Sequence, residues 1–462
     1  MSASTSTGSL RQRGASLVQR VLPEGVARRV AQNTGWLLGE RVFRLVAAFA
    51  VTIWLVRYLG PADFGVLAYA ISISMIAEVT AGLGVAQIVV RQLVEAPEDE
   101  SHLLGSALVL RFVAGLAIVA GTLALTWWSD GDARSMAVVA IIVGVVPFRA
   151  LSTFDQAFQA RMQSRLSVVA RTSGFLISAL AKVVLLVAGA PLVAFAVAVA
   201  LEVVVSAIAF TVLYARSGGR PFGLDVQWWR ARALLRESWP LAIAAGAAMI
   251  SLRIDQVMLK QMTGDADVGA YAAAARLSEV WYFVPVALGT ALFPVLVGAR
   301  GDRAAQDQRL QAALDLSAWL AIVIAFAVTV LGGLVIHVLY GPRFEDSAGI
   351  LRMQVWAGPF VFMGVITGRA LLAEGLQRFE SVRYVLGALV NIGLNLVLIP
   401  RYGGMGAAFA TLISYILVTY VMVLAYPRTR HLGWLMTRSL LLPFRLRSEY
   451  LRREGARPAE AP

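Results

Sequence analysis

The chain predicts an all-α, polytopic membrane protein of about twelve transmembrane helices, arranged as two parallel six-helix bundles around a central cavity. Three observations carry that reading. Of 462 residues, 58% are hydrophobic and only 15% charged, and the mean hydropathy of +0.71 leaves too little polar surface for a soluble protein of this size. The apolar residues fall into runs of about 20, the length that crosses a bilayer as a helix. The turn Gly60-Pro61-Ala62-Asp63-Phe64-Gly65 returns as Gly264-Asp265-Ala266-Asp267-Val268-Gly269, 264 − 60 = 204 positions later. Both copies follow one apolar run and precede another that opens near a tyrosine, Tyr69 or Tyr271. Internal duplication of this kind is a recurring plan of membrane transporters.

The elements follow in order. Residues 1–35 form a cytoplasmic N-terminal tail, Ser/Thr-rich at first, without the apolar core and cleavage site of a signal peptide. Within it, Leu17 to Val30 interleaves apolar residues with arginines and suits a short interfacial helix. The first bundle, 36–214, holds spans near 36–57, 64–90, 103–128, 135–154, 165–188 and 191–214. A linker, 215–237, is broken by Gly218, Gly219, Pro221 and Gly223, then carries Trp228, Trp229 and Leu234 beside Arg230, Arg232 and Arg236. That pattern is a basic amphipathic surface helix. The second bundle, 238–426, holds spans near 238–262, 267–297, 314–340, 349–374, 382–399 and 404–426. A basic C-terminal tail occupies 427–462. Val193-Ala194-Phe195-Ala196 and Ala407-Ala408-Phe409-Ala410 add a second trace of duplication at an offset of 214. An even number of spans per repeat makes the copies parallel.

Arginine placement orients the chain. The connections read as inner carry Arg91, Arg161, Arg165, Arg216, Arg220, Arg300, Arg378 and Arg383 among others, whereas the outer ones offer Arg57, Arg134, Arg343 and Arg401. Both termini are therefore expected in the cytoplasm, with the protein in a bacterial cytoplasmic (inner) membrane. The net charge of +13 belongs to this orientation signal and not to nucleic-acid binding. No cysteine is present and the three histidines lie far apart, so no disulfide, metal site or cofactor is expected. The only lysines, Lys182 and Lys260, follow Ala181 and Leu259, which excludes a P-loop.

Ionisable residues inside spans cost about 2.5–3.5 kcal/mol each when placed in lipid; they must face one another or a watery cavity. Arg44, Arg149, Arg171, Lys182, Arg253 and Arg276 are the candidate cavity cations. Arg171, Ser178 and Lys182 share one helical stripe, and Arg253 and Lys260 another. Glu40 with Arg44 and Arg276 with Glu279 have the spacing of pairs within one helix. Arg41, Arg369 and Glu374 at inner ends, and Lys260 and Arg352 at outer ends, are placed to snorkel. Glu78, Asp255 and Glu279 are candidates for coupling H⁺ or Na⁺, or for balancing the arginines. Pro147, Pro285 and Pro359 fall inside spans and predict kinks. A basic cavity suits an anionic cargo, and guanidinium suits phosphate.

The first two spans, RLVAAFAVTIWLVRYLGPADFGVLAYAISI, resemble the start of Wzx-type oligosaccharide and polysaccharide flippases, of the multidrug/oligosaccharidyl-lipid/polysaccharide exporter superfamily. IDQVMLKQMTGDADVGAYAAAARLSE (254–279) and NIGLNLVLIPRYGGMGAAFATLISY (391–415) strengthen the likeness, above all Asn391 with Asn395, the turn at Pro400 to Gly403 and Gly406-Ala407-Ala408. It covers about residues 35–426. The resemblance implies two bundles around a V-shaped cavity lined with basic residues. It implies alternating-access flipping of a polyprenyl-pyrophosphate-linked oligosaccharide for cell-surface polysaccharide such as exopolysaccharide or O-antigen. Membrane lipid, a glycan polymerase and a chain-length regulator are the partners it suggests. It implies transport, not enzymatic catalysis. The count of twelve departs from the fourteen helices of lipid II flippases. The rival readings are a cation-coupled multidrug exporter of the same superfamily, a membrane glycan polymerase or ligase, and a non-transporting scaffold. The arginine excess speaks against the first, and the shortness of the outer connections against the second.

Overall fold

A computed structural model describes residues 24–130, 132–298, 303–443 and 445. The predicted tail up to residue 23, with it half of the Leu17 to Val30 segment, and residues 446–462 lie outside the described residues, as do the side chains of Glu40 and Arg41. Among the described residues no β-strand occurs.

The first half runs α1 (Glu24–Ala81), α2 (Ala86–Glu95), α3 (Glu100–Asp130), α4 (Ala133–Gly144), α5 (Thr153–Ala160), α6 (Ser164–Val187) and α7 (Leu192–Arg216). The second runs α8 (Trp228–Met262), α9 (Asp265–Glu279), α10 (Phe283–Gly298), α11 (Arg303–Tyr340), α12 (Asp346–Gln354), α13 (Gly358–Ala373), α14 (Gln377–Tyr415), α15 (Met422–Ala425) and α16 (Arg430–Leu440). Nine helical stretches among the described residues are long and apolar enough to cross a membrane.

Helix α1 has 58 residues, about 87 Å if straight, far beyond the roughly 30 Å of a hydrocarbon core. It is two spans joined at Gly60, whose φ of 72° and ψ of 177° break the helix. Helix α14 does the same at Gly403, with φ 54° and ψ −135°. The second span ends at Ala81, short of the predicted residue 90, because Leu83 and Gly84 both take positive φ. The chain then restarts as the amphipathic α2. The three in-span prolines mark joints as expected. Pro147 lies in a 3₁₀ segment, Val146–Ser152. Pro285 and Pro359 open α10 and α13, each just after a 3₁₀ turn. A proline has no N–H to donate, so a tighter turn or a fresh first turn is where it costs least.

The basic patch at Trp228 is not a separate surface helix: α8 begins there and continues to Met262 through Pro240. Residues read as the start of the C-terminal tail fold as α16. Its Ser439 accepts from Trp319 Nε1 at 2.9 Å and Gln311 at 2.7 Å.

The chain divides into two compact units: residues 1–52, 81–121 and 144–239, and residues 53–80, 122–143 and 240–462. The core of the first centres on Phe154, Phe158, Leu104 and Tyr214. Tyr214 stacks on Phe154 at 4.5 Å and donates to Glu100 at 2.8 Å, where Arg161 also binds. Here α6 and α7 pack through small residues: a methyl on Gly174 would overlap α7 backbone, and Ser178 donates to the Ala198 carbonyl at 2.7 Å.

The second unit contains both copies of the repeated turn, and they pack on each other. Gly264, with φ 102° and ψ −175°, reproduces the conformation of Gly60, one open to glycine and strained for any other residue. A methyl on Gly65 would overlap the Asp265 carbonyl, and one on Gly269 would overlap the Pro61 carbonyl. Positions 61 and 265, and 65 and 269, are equivalent at the offset of 204, so the contact is reciprocal. A second pair, Gly189 and Gly403, also takes positive φ, at the offset of 214.

Candidate functional site

In the second half the site is built around Asp255 of α8, 1% exposed. Two helices deliver three donors to it. Tyr271 of α9 donates to Oδ2 at 2.5 Å and Thr411 of α14 to the same oxygen at 2.6 Å. Asn395 of α14 donates to Oδ1 at 2.6 Å and shares its amide with Asn391 Oδ1 at 3.2 Å. Asn391 and Asn395 meet because they lie four apart on one helix face. Thr411 reaches the same point only because Gly403 folds α14 back on itself. Gln354 of α12 donates to the Tyr271 hydroxyl at 3.3 Å. Every bond to the carboxylate comes from a donor, the arrangement that holds a charge in a buried place. Asn395 Oδ1 and Gln354 Oε1 are buried without a partner. Chemically the cluster is a set of oxygens able to take a monovalent cation or exchange a proton. Among the described residues no group of three or more His, Cys, Asp or Glu side chains forms a metal cluster.

Arg253 stands beside it in sequence but binds elsewhere. Its Nη1 and Nη2 meet both oxygens of Glu279 at 3.3 and 3.0 Å, a bidentate fork. The expectation placed Glu279 beside Arg276 on one helix; the fork shown here runs between two helices. Glu279 is the last residue of α9 and reaches back to α8, while Arg276 lies over the Phe64 ring at 5.2 Å. Asp255 is likewise not the neutraliser of Arg253. Lys260, expected to snorkel, is instead buried against Asp265 at 2.7 Å. Ser72 donates to Gln256 at 2.8 Å between α1 and α8. Glu78 is half-buried on the second arm of α1.

In the first half, Arg44 pairs with Glu202 of α7 at 3.2 Å and lies 5.4 Å from the Phe175 ring of α6. One partner of Arg44 is thus on another helix; the expected pair with Glu40 lies outside the described side chains. Arg171 donates Nε to its own helix at Ser167 O, 3.3 Å away. Its stripe-mate Ser178 turns to α7. Arg149, on the 3₁₀ joint, and Lys182 are half-buried. The structure therefore joins Arg253 to Glu279 and encloses Asp255 in donors, while Arg149, Arg171 and Lys182 lie on other elements of the first half.

Sequence reasoning missed Tyr271, Thr411 and Gln354 as members of the Asp255 cluster. The Asn391/Asn395 spacing was the available signal. Arg383 was read as a connection cation, yet its side chain is 2% exposed.

Helices broken at paired glycine elbows, with ionisable side chains bonded inside the spans, define a polytopic membrane protein of transporter architecture. The family model described as polysaccharide biosynthesis protein matches residues 30–299, more than half of the chain, and the chain belongs to that family. A second model, described as lipid II flippase MurJ, matches residues 230–443. Succinoglycan biosynthesis transport protein ExoT of Rhizobium meliloti is 24% identical over 71% of this chain and 66% of its own length. Over the first curated relatives matched, the chain spans about a third to about half of their length. Among solved structures, lipid II flippase MurJ in an inward closed conformation aligns with a TM-score of 0.71 at 14% identity, over 88% of this chain and 90% of that one. An inward-facing MATE family multidrug transporter of the MOP superfamily aligns at 0.70 and 12% identity, over 87% and 95%. These likenesses show the fold, and with the family match they place the chain in the predicted superfamily.

Proposed function

We propose that the protein is a flippase that moves a polyprenyl-pyrophosphate-linked oligosaccharide across the cytoplasmic membrane by alternating access, for cell-surface polysaccharide synthesis. The observation that carries this reading is the family match over residues 30–299. The intramembrane cations Arg44, Arg149, Arg171, Lys182 and Arg276 meet the pyrophosphate and anionic sugars, and both termini face the cytoplasm. Guanidinium forks match phosphate oxygens better than any other side chain here. Arg253 is already bound by both Glu279 oxygens, so it holds α8 to α9 and acts on cargo only through that geometry. Asp255, with its ring of neutral oxygens, takes the coupling cation, H⁺ or Na⁺. Glu78 and Glu279 balance charge.

The test is translocation of a fluorescent polyprenyl-pyrophosphate glycan in proteoliposomes, read by a quencher outside the vesicles. Arg149→Ala is expected to lower the initial rate at least tenfold with the protein still folded. Asp255→Asn is expected to remove any dependence of the rate on a Na⁺ or H⁺ gradient. Wild-type rates from Arg149→Ala would overturn the cargo assignment. Loss of drug resistance on deletion, with glycan export intact, would favour the multidrug reading instead.

A further inference from the structure

A cavity of about 210 Å³ opens inside the second half among α8, α13 and both arms of α14. That volume equals several water molecules, at about 30 Å³ each. Its wall is largely apolar, from Val361, Val365 and Val418, but three polar side chains line it with unmet bonding capacity. Ser251 Oγ, Ser414 Oγ and the Nε and Nη1 of Arg383 are all buried without a hydrogen-bond partner. The third nitrogen of Arg383 donates to Glu380 at 2.7 Å. That bond anchors the guanidinium through Nη2 and leaves Nε and Nη1 without acceptors. Burying a guanidinium with two unpaired N–H groups is costly unless something supplies acceptors.

The four unmet atoms share one property: each can donate. A guanidinium N–H gives a charged hydrogen bond to an oxygen, while the serines approach from two other helical segments. Donors arriving from three directions match the spread oxygens of a tetrahedral anion better than a planar carboxylate. We propose that this cavity is a phosphate site, taking inorganic phosphate or the phosphate monoester of a lipid on Arg383, Ser251 and Ser414. It does not rest on the transport reading. Thr411 belongs both to this wall and to the Asp255 cluster, so the site adjoins the buried carboxylate. At the offset of 214 the counterpart of Arg383 is Val169, 47% exposed, so the site belongs to the second half alone.

The experiment is thermal unfolding and calorimetric titration of the full chain in detergent. Sodium phosphate and lysophosphatidic acid are the two probes, and sodium chloride at matched ionic strength is the control. A saturable rise in melting temperature with either probe, absent with chloride, supports the site. Saturation by inorganic phosphate assigns the free anion, and saturation by the lysolipid alone assigns the lipid. Arg383→Gln is expected to weaken apparent affinity at least tenfold. Ser251→Leu, which fills the cavity and keeps the arginine, is expected to do the same and carries the test if Arg383→Gln does not fold. No saturation by either probe, a response equal to chloride, or binding unchanged in Ser251→Leu would each overturn the proposal and leave the cavity to water.

Discussion

The two halves share a backbone plan but treat buried charge in opposite ways. At the offset of 204 the partners of Asp255 and Tyr271 are Val51 and Leu67; at 214 those of Asn391, Asn395 and Thr411 are Ile177, Ala181 and Val197. The whole polar cluster of the second half is thus aliphatic in the first, where Ile177 and Val197 are exposed apolar side chains. The first half instead carries cations on separate helices, with Arg44 held to Glu202. Duplication preserved where the chain turns and released what it carries. A carboxylate enclosed by donors is a fixed element of one copy, and dispersed cations are a feature of the other.

Four changes would break or sharpen that contrast, in decreasing order of effect. Asp255→Leu removes the acceptor of three buried donors and is expected to destabilise by on the order of 3 kcal/mol or more, read by thermal unfolding in detergent. A variant as stable as wild type would mean the cluster is not an integral part of the fold. Gly269→Ala drives a methyl into the Pro61 carbonyl, an overpacking cost of about 1–3 kcal/mol. Combined with Gly65→Ala it should cost less than the sum, because both relieve one contact; strict additivity would show the elbows to be independent.

Arg253→Ala strands a carboxylate held by two bonds, and its cost should be about 2 kcal/mol. Arg44→Ala removes a more exposed pair, 31% and 30% exposed against 15% and 20% for Arg253 and Glu279, and should cost about half as much; equal costs would erase the difference between the halves. The smallest effect lies outside the membrane. His431 of α16 bonds Glu374 at 3.0 Å, and that bond raises its pKa above 6.5. A raised folded pKa stabilises fully below about 6.5 and loses its contribution as pH climbs through the folded value. Hydrogen exchange in α16 should therefore quicken from pH 6 to pH 9, and His431→Ala should flatten that dependence.

The sequence shows the spans, the duplicated turn and the proline joints, because hydrophobic run length, glycine and proline act locally. It does not show which charge meets which. Glu279 lies three residues from Arg276, and spacing shows that neighbour; its fork to Arg253 depends on how α8 and α9 fold about Gly264. Thr411 and Asp255 are 156 residues apart, and no periodicity connects them. Arg383 sits at the margin of a predicted span, where a snorkelling cation and a buried one look alike. Only packing by α13 and the returning arm of α14 decides.

The reciprocal elbows carry one more consequence. A contact in which residue 65 meets 265 and residue 269 meets 61 has the form of an isologous dimer interface, here written twice in one polypeptide. Neither copy is at liberty to drift, because a side chain gained at one glycine ejects the backbone of the other. The two turns are inherited as a pair, and the tandem chain still folds at this point as two molecules greeting across a twofold axis.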